Sequence, residues 1–278
     1  MEYKHYMIIK HSESMSSMET DKIYCMDAIK GMQKYIPDNS IDLTVTSPPY
    51  DNLRTYQGFV FDFESIAGEL YRVTKNGGVV VWVVGDRIKN KSETLVPFKQ
   101  ALFFKEIGFN LHDTMIYQKN VMPFPEQTRY IQCFEYMFVL SRGKPKTTNI
   151  LKEKTKGYNP SKSSSQRNKD GTTTKLKYEQ GKDYRNKWNV WVYDVGYNKT
   201  TKDKFAFKHP AVFPEQLAED HILSWSNENN IVLDPMCGSG TTCKMAKKLN
   251  RRFIGFDISQ NYIDIARKRI ANIPQRLF

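Results

Sequence analysis

Two short segments concentrate the residues that could do chemistry. Thr46-Ser47-Pro48-Pro49-Tyr50 follows the strand-like run Ile41 to Thr46, and Asp234-Pro235-Met236-Cys237-Gly238-Ser239-Gly240-Thr241 follows the apolar Ile231-Val232-Leu233. In the first, two prolines fix the backbone just where a strand ends and remove two N–H donors, so the loop offers carbonyl acceptors and an aromatic ring. In the second, the Gly238-Ser239-Gly240 turn is poor in side chains, a small molecule can approach its backbone, and Thr241 can open a helix. The spacing is not G-x-G-x-x-G, which disfavours a dinucleotide. About twenty residues later, Asp257 ends the strand-like Arg252 to Phe256, placed to accept from the two hydroxyls of a ribose. That spacing supports a nucleoside cofactor.

These loops must be held by a scaffold, and the pattern of apolar residues says which. Strand patterns run over Lys22 to Cys25, Ile41 to Thr46, Gly78 to Val84, Asp113 to Gln118, Tyr136 to Leu140, Ile231 to Leu233 and Arg252 to Phe256. Helical patterns lie between and around them at Phe63 to Val73, Leu95 to Ile107, Glu215 to Ser226, Thr241 to Leu249 and Gln260 to Ile273, with Gly77-Gly78 and Gly108 suiting helix ends. Strands alternating with helices predict an α/β fold whose mostly parallel sheet carries helices on both faces. From about Gly143 to Lys204 the alternation gives way to Lys, Ser, Thr, Asn and Gly, a loop-rich insertion.

Of the 278 residues, 42 are Lys or Arg and 30 are Asp or Glu, a net charge of +12. The segment from Arg142 to Lys208 holds eighteen of the cations and six of the anions, which accounts for the whole excess. A solvated basic loop is the plain alternative, but Tyr158, Tyr178, Tyr184, Trp188, Trp191, Tyr193 and Tyr197 are interleaved with the charge, and phosphate pairing plus aromatic surface is what a nucleic-acid face needs. No run of eighteen apolar residues suggests a membrane span, and Met1 to Thr20 lacks the pattern of a secretory signal. Cys25, Cys133, Cys237 and Cys243 form no C-x-x-C pair and have no His at zinc-like spacing, so neither metal nor disulfide is expected, and reduced thiols fit a cytoplasmic location.

The two loops resemble motifs IV and I of the S-adenosylmethionine-dependent amino-group DNA methyltransferases, and their order, TSPPY before the glycine turn, resembles the permuted beta subgroup. Lys208-His209-Pro210-Ala211-Val212-Phe213-Pro214-Glu215-Gln216-Leu217 resembles the motif X segment of that subgroup, and residues 21–143 and 205–272 are covered by the likeness. The resemblance implies a Rossmann-like, circularly permuted methyltransferase with a seven-stranded sheet. It divides the chain into a tail (1–20), a catalytic half (21–143), a target-recognition insertion (144–204) and a cofactor-binding half (205–278).

By the same resemblance Ser47, Pro48, Pro49 and Tyr50 handle a base rotated out of double-stranded DNA. Ser47 and the Pro48 carbonyl accept from its amine, and Tyr50 stacks on it. The Ser in place of Asp favours cytosine N4, with adenine N6, RNA methylation and a non-catalytic specificity partner as the alternatives. S-adenosylmethionine falls to Asp234, Pro235, Met236, Cys237, Gly238, Ser239, Gly240 and Thr241, with the Asp234 carboxylate on its amino group directly or through water, to Asp257 and Ile258, to Asp27, and to Phe213 and Pro214. Relatives often carry Gly before the acid matched by Asp27, where this chain has Met26. Arg54, Lys162, Arg167, Lys175, Lys177, Arg185 and Lys187 are the expected DNA contacts. Asp86 is a second-rank ligand candidate with helix capping as its equal, and Arg129 and Glu135 face either the base or one another in an ion pair. A homodimer and a cognate restriction endonuclease are open partners, in a prokaryotic cytoplasm.

Overall fold

The run Val79 to Val84 could by composition be a buried helix or a strand covered on both sides. In the computed structural model, which describes residues 18–49, 61–120, 128–154, 164–176 and 184–273, it is the centre of the strand β3, Thr74–Val84. Val79, Val81 and Val83 enter one apolar cluster and Val80, Trp82 and Val84 the other. Burial on both faces explains why the run does not alternate with polar residues. Each such side chain contributes about 1.5–3 kcal/mol by leaving water.

Around it lie β1 (Lys22–Cys25), β2 (Ile41–Thr46), β4 (Asn110–Lys119), β5 (Phe134–Ser141), β6 (Val190–Tyr193), β7 (Ile231–Asp234) and β8 (Arg252–Asp257). The sheet order is β1-β8-β7-β2-β3-β5-β4-β6, and only β5 runs against the rest. Helices α1 (Ala28–Tyr35), α2 (Phe63–Val73) and α3 (Val96–Glu106) cover one face. The other face takes α4 (Glu215–Trp225), α5 (Thr241–Lys248) and α6 (Gln260–Ala271).

The α/β architecture agrees with the sequence pattern, with one strand more than the seven expected. The extra strand, β6, comes from within the predicted insertion and pairs parallel to β4 at the sheet edge. Trp191 and Tyr193 alternate inward and are 6% exposed, whereas Val190 and Val192 point out. These two aromatics therefore belong to the core and not to a nucleic-acid face. Their polar tips are satisfied locally: Trp191 Nε1 donates to the Trp188 carbonyl at 2.8 Å, and the Tyr193 hydroxyl to Asp220 Oδ2 at 2.9 Å. What remains peripheral is a pairing of Lys152–Lys154 with Tyr184–Asn186 and a separate hairpin of Ser164–Arg167 with Thr173–Leu176.

Candidate functional site

Because β7, β8, β1, β2, β3 and β4 are co-directional, their carboxyl ends share one edge of the sheet. The helix after β7 (α5) lies on one face and the helix after β2 (α2) on the other, so adjacent β7 and β2 flank a topological switch point, where open α/β sheets bind ligands. A cavity of about 1090 Å³ opens there. Ser47, Pro48 and Pro49 line one side, and Pro235 to Ser239 with Asp257 and Ile258 line another. Loops almost two hundred residues apart in sequence thus face the same space.

The two loops are fastened beneath the cavity floor. Thr46 Oγ1 donates to Asp234 Oδ1 at 2.8 Å, and Thr242 Oγ1 to the Val45 carbonyl at 3.0 Å. Asp234 is 1% exposed, also accepts from the Met236 N–H, and does not line the cavity. A direct contact of its carboxylate with a cationic amino group is therefore corrected: the carboxylate straps β7 to β2. Burial pushes its pKa up to about 6.

Asp257 does face the cavity. Its Oδ2 accepts from the Gly238 N–H at 2.9 Å and its Oδ1 from the Ser259 N–H at 2.8 Å, and burial raises its pKa. A carboxylate has about four acceptor sites, so each oxygen retains capacity for a ligand hydroxyl. Gly238 adopts φ +48°, and a Cβ there would stand 2.6 Å from His209 Nε2, which makes the bare backbone a steric requirement. His209 is held edge-on to Tyr262 with ring centroids 4.3 Å apart, and both line the cavity. Gly240 instead lies against Ala266, and Pro214 is buried as the residue before α4; neither reaches the cavity wall, although Phe213 and Thr241 do. Asp27 caps α1 through the Lys30 N–H at 3.0 Å and borders the cavity, as do Met26 and Ile258.

Asp86 lines the cavity too, and its carboxylate accepts from the Arg87 and Leu95 N–H groups and from Thr94 Oγ1; no helix begins at Arg87 and α3 has no side-chain cap, so Asp86 fastens the turns ahead of α3 rather than capping a helix. Glu135 is paired with Lys119 and not with Arg129, which donates to the Lys91 carbonyl. Lys119, Glu135 and Tyr117 form the cavity wall farthest along the sheet from Asp257, residues that sequence reasoning mostly passed over. Their signal was positional: Lys119 ends a strand at the ligand-binding edge.

A buried ionic network behind the glycine turn was also missed. Arg269, with no exposed side-chain surface, bonds Asp203 Oδ2 at 3.0 Å, Glu215 Oε1 at 2.6 Å, the Ser239 carbonyl at 2.8 Å and Thr241 Oγ1 at 2.9 Å. Lys244 reaches Asp203 and Glu215, both at 2.7 Å. The two cations hold both carboxyl groups below their ordinary pKa despite burial.

The expected DNA contacts separate into groups. Arg54, Lys162 and Lys177, like Tyr50, lie outside the described residues. Arg167 and Lys175 sit on the exposed hairpin. Arg185 pairs with Glu153 at 2.6 Å and lies 4.0 Å from the Trp188 ring centre. Lys187 turns inward to Asp220 at 3.1 Å and lies over Trp191, so its charge is neutralised by the core and it is withdrawn as a phosphate ligand. Among the described residues there is no His, Cys, Asp and Glu group able to hold a metal ion, and no helix is long and apolar enough to cross a membrane.

A glycine turn with an acidic strand end beside it and a proline-stiffened loop facing the same cavity at a switch point is the arrangement of an α/β ligand-binding enzyme. Residues 41–268 match the family model of the N6/N4 DNA methylases, and the chain belongs to that DNA methylase family. It is 57% identical over 245 residues to the orphan methyltransferase M.BamHII of Bacillus amyloliquefaciens, covering 87% of this chain and 92% of that one. It is 32% identical over 267 residues to the type II methyltransferase M.HpaI of Haemophilus parainfluenzae, covering 90% and 74%. Among solved structures, the PvuII DNA methyltransferase, described as cytosine-N4-specific, superposes with a TM-score of 0.67 at 16% identity over 94% of this chain and 89% of that one. A modification methylase of Thermus thermophilus complexed with S-adenosyl-L-methionine gives 0.61 at 22% identity, over 91% and 94%. The cofactor of this DNA methyltransferase is S-adenosylmethionine, and the Gly238 cradle with Asp257 beside it fits that molecule.

Proposed function

We propose that the enzyme methylates the exocyclic N4 of a cytosine rotated out of double-stranded DNA, within a short recognition sequence. The observation that carries this reading is that Ser47 and Pro48 share one cavity with the Asp257 and Gly238 cradle. S-adenosylmethionine, when bound, would supply an electrophilic methyl carbon, its C–S bond breaking to leave the neutral thioether S-adenosylhomocysteine as the N–C bond forms, with the released amine proton passing to water. The protein's task is to hold the acceptor nitrogen in line with it. An exocyclic amine is a poor nucleophile because its lone pair is delocalised into the ring. Ser47 Oγ and the Pro48 carbonyl, accepting from its two protons, localise that lone pair, and the prolines keep both acceptors from relaxing away. Tyr50 stacks on the base. Asp257 accepts from the ribose hydroxyls, Phe213 packs against the cofactor, and Asp27 faces its adenine.

Ser47, where many relatives carry Asp, favours cytosine. Either oxygen can physically accept from either amine, so adenine N6 is the competing target. Expression in a host lacking N4-methylcytosine, followed by nucleoside mass spectrometry of its DNA, tests the assignment. N4-methylcytosine is the expected product; N6-methyladenine alone overturns it. We further propose that the enzyme works as a restriction-modification or orphan methyltransferase, with a second copy of itself and a cognate endonuclease as its candidate partners.

A further inference from the structure

The hairpin Ser164–Arg167 with Thr173–Leu176 has no place in the core: every residue from Ser165 to Lys175 is exposed. An antiparallel ribbon of four-residue strands is marginal in water by itself, so its geometry must be supported locally. The support comes from one face only. Asn168 Nδ2 donates to Thr172 Oγ1 at 2.9 Å and to Thr174 Oγ1 at 2.8 Å, and Asp170 Oδ1 accepts from the Thr172 N–H at 3.0 Å and hydroxyl at 2.6 Å, while Gly171 takes the left-handed position with φ +84°. Asn168, Thr172 and Thr174 share the face of Gln166, because side chains two apart along a strand and opposite across it point the same way.

The other face has a different character. Arg167 lies opposite Thr173, and Ser165 opposite Lys175. Among the described residues, none of these four side chains makes a hydrogen bond or ion pair, in contrast to Arg185 and Lys187 nearby, whose charges are matched by Glu153 and Asp220. The one acid of the hairpin, Asp170, is spent on the turn. The ribbon is thus rigidified on one side and presents two cations and two hydroxyls on the other.

We propose that this ribbon is the base-reading element of the enzyme, laid in the major groove with the Ser165, Arg167, Thr173, Lys175 face toward the base edges. The inference deepens the DNA-methylating reading and rests on it. A major groove about 12 Å wide admits a two-stranded ribbon, and an Arg fork matches guanine O6 and N7. Diagonal neighbours on such a face are about 7–8 Å apart, roughly two base steps, so Arg167 and Lys175 address different base pairs. The Arg185 and Trp188 region, tied to the sheet edge through Lys187 and β6, flanks the DNA without reading it.

The test is sequence-resolved methylation mapping on a randomised plasmid library with purified wild-type enzyme, Arg167→Ala, Lys175→Ala and, as a control on α3, Lys105→Ala. Arg167→Ala should lose discrimination at one position of the recognition sequence by roughly five- to hundredfold, as expected for losing one bidentate base contact. Lys175→Ala should relax a different position, and Lys105→Ala none. The mutated side chains are exposed, and unchanged melting and cofactor affinity show that each variant is folded. An unaltered recognition sequence in both ribbon variants overturns the proposal. So does uniform weakening with a shallower salt dependence and the same sequence, which assigns the ribbon to phosphates alone. A wild-type enzyme that methylates no DNA refutes the activity itself, a failure distinct from that of the ribbon.

Discussion

Replacing Arg269 with Met removes a side chain that ties α4, the glycine turn and the segment before the motif X match together. Arg269 has no exposed side-chain surface, and its loss leaves Asp203 and Glu215 with Lys244 as their remaining cation among the described residues, so the site gains one unmatched buried negative charge. Breaking one partner out of a buried ionic group costs about 3–5 kcal/mol, much of it the penalty on the abandoned charge. At about 2.1 cal/mol/K per residue, a chain of 278 residues unfolds with an entropy near 0.6 kcal/mol/K, so the melting temperature should fall by about 5–9 °C. Ser239 and Thr241 lose their donor in the same step, so the glycine turn loosens and S-adenosylmethionine affinity should drop with stability. Arg269→Lys keeps the charge but not the fork and should fall between the two. Differential scanning calorimetry with and without cofactor measures both effects. A melting point for Arg269→Met within about 2 °C of the wild type would refute the reasoning, since 2 °C corresponds to only about 1 kcal/mol on the same entropy.

Three further outcomes follow from the site. Asp257→Asn should weaken cofactor binding by roughly ten- to hundredfold in calorimetry, in line with about 1.5–3 kcal/mol for a hydrogen bond to a charged group; an unchanged affinity would leave Asp257 as a staple for Gly238 and Ser259 only. Gly238→Ala forces a left-handed alanine, costing about 1–2 kcal/mol, and pushes a methyl group into His209, so it should melt at least about 2 °C lower and lose most of the thermal shift given by cofactor; a full cofactor shift would show that His209 can yield. Asp234, buried and pushed up to about 6, favours the folded state fully below its unfolded pKa of about 3.9, and that contribution is lost as pH rises through about 6. Asp234→Asn still accepts from Thr46 but does not titrate, so wild-type stability relative to it should fall by about 2 kcal/mol between pH 4 and 7 in denaturant titrations of the cofactor-free protein; a pH-independent difference contradicts the burial argument.

Much of this architecture is legible in the chain itself. Strand and helix periodicity marks seven of the eight sheet strands, because burial on one or both faces leaves its signature within a few residues. The proline-stiffened loop and the glycine turn carry their local chemistry in their own sequence, and Gly238 with φ +48° is at a position where the backbone itself demands glycine. Other features are invisible there for a physical reason. Trp191, Tyr193 and Lys187 sit in a basic, aromatic stretch that looks like a nucleic-acid face, yet edge pairing with β4 turns the first two inward, and Asp220, on a distant helix, neutralises the third. Asp234 stands where a cofactor ligand is expected, and only its burial and its bond to Thr46 on the neighbouring strand show that its carboxylate does not line the cavity. Arg269 reads as one more cation on an amphipathic helix until Asp203, Glu215 and Ser239 close around it. The repertoire of elements and loops follows from local sequence, since those depend on neighbours a few residues away. Which side chains face the cavity, the core or the solvent was decided by tertiary contacts alone, because burial and charge pairing are properties of residues that meet only after folding.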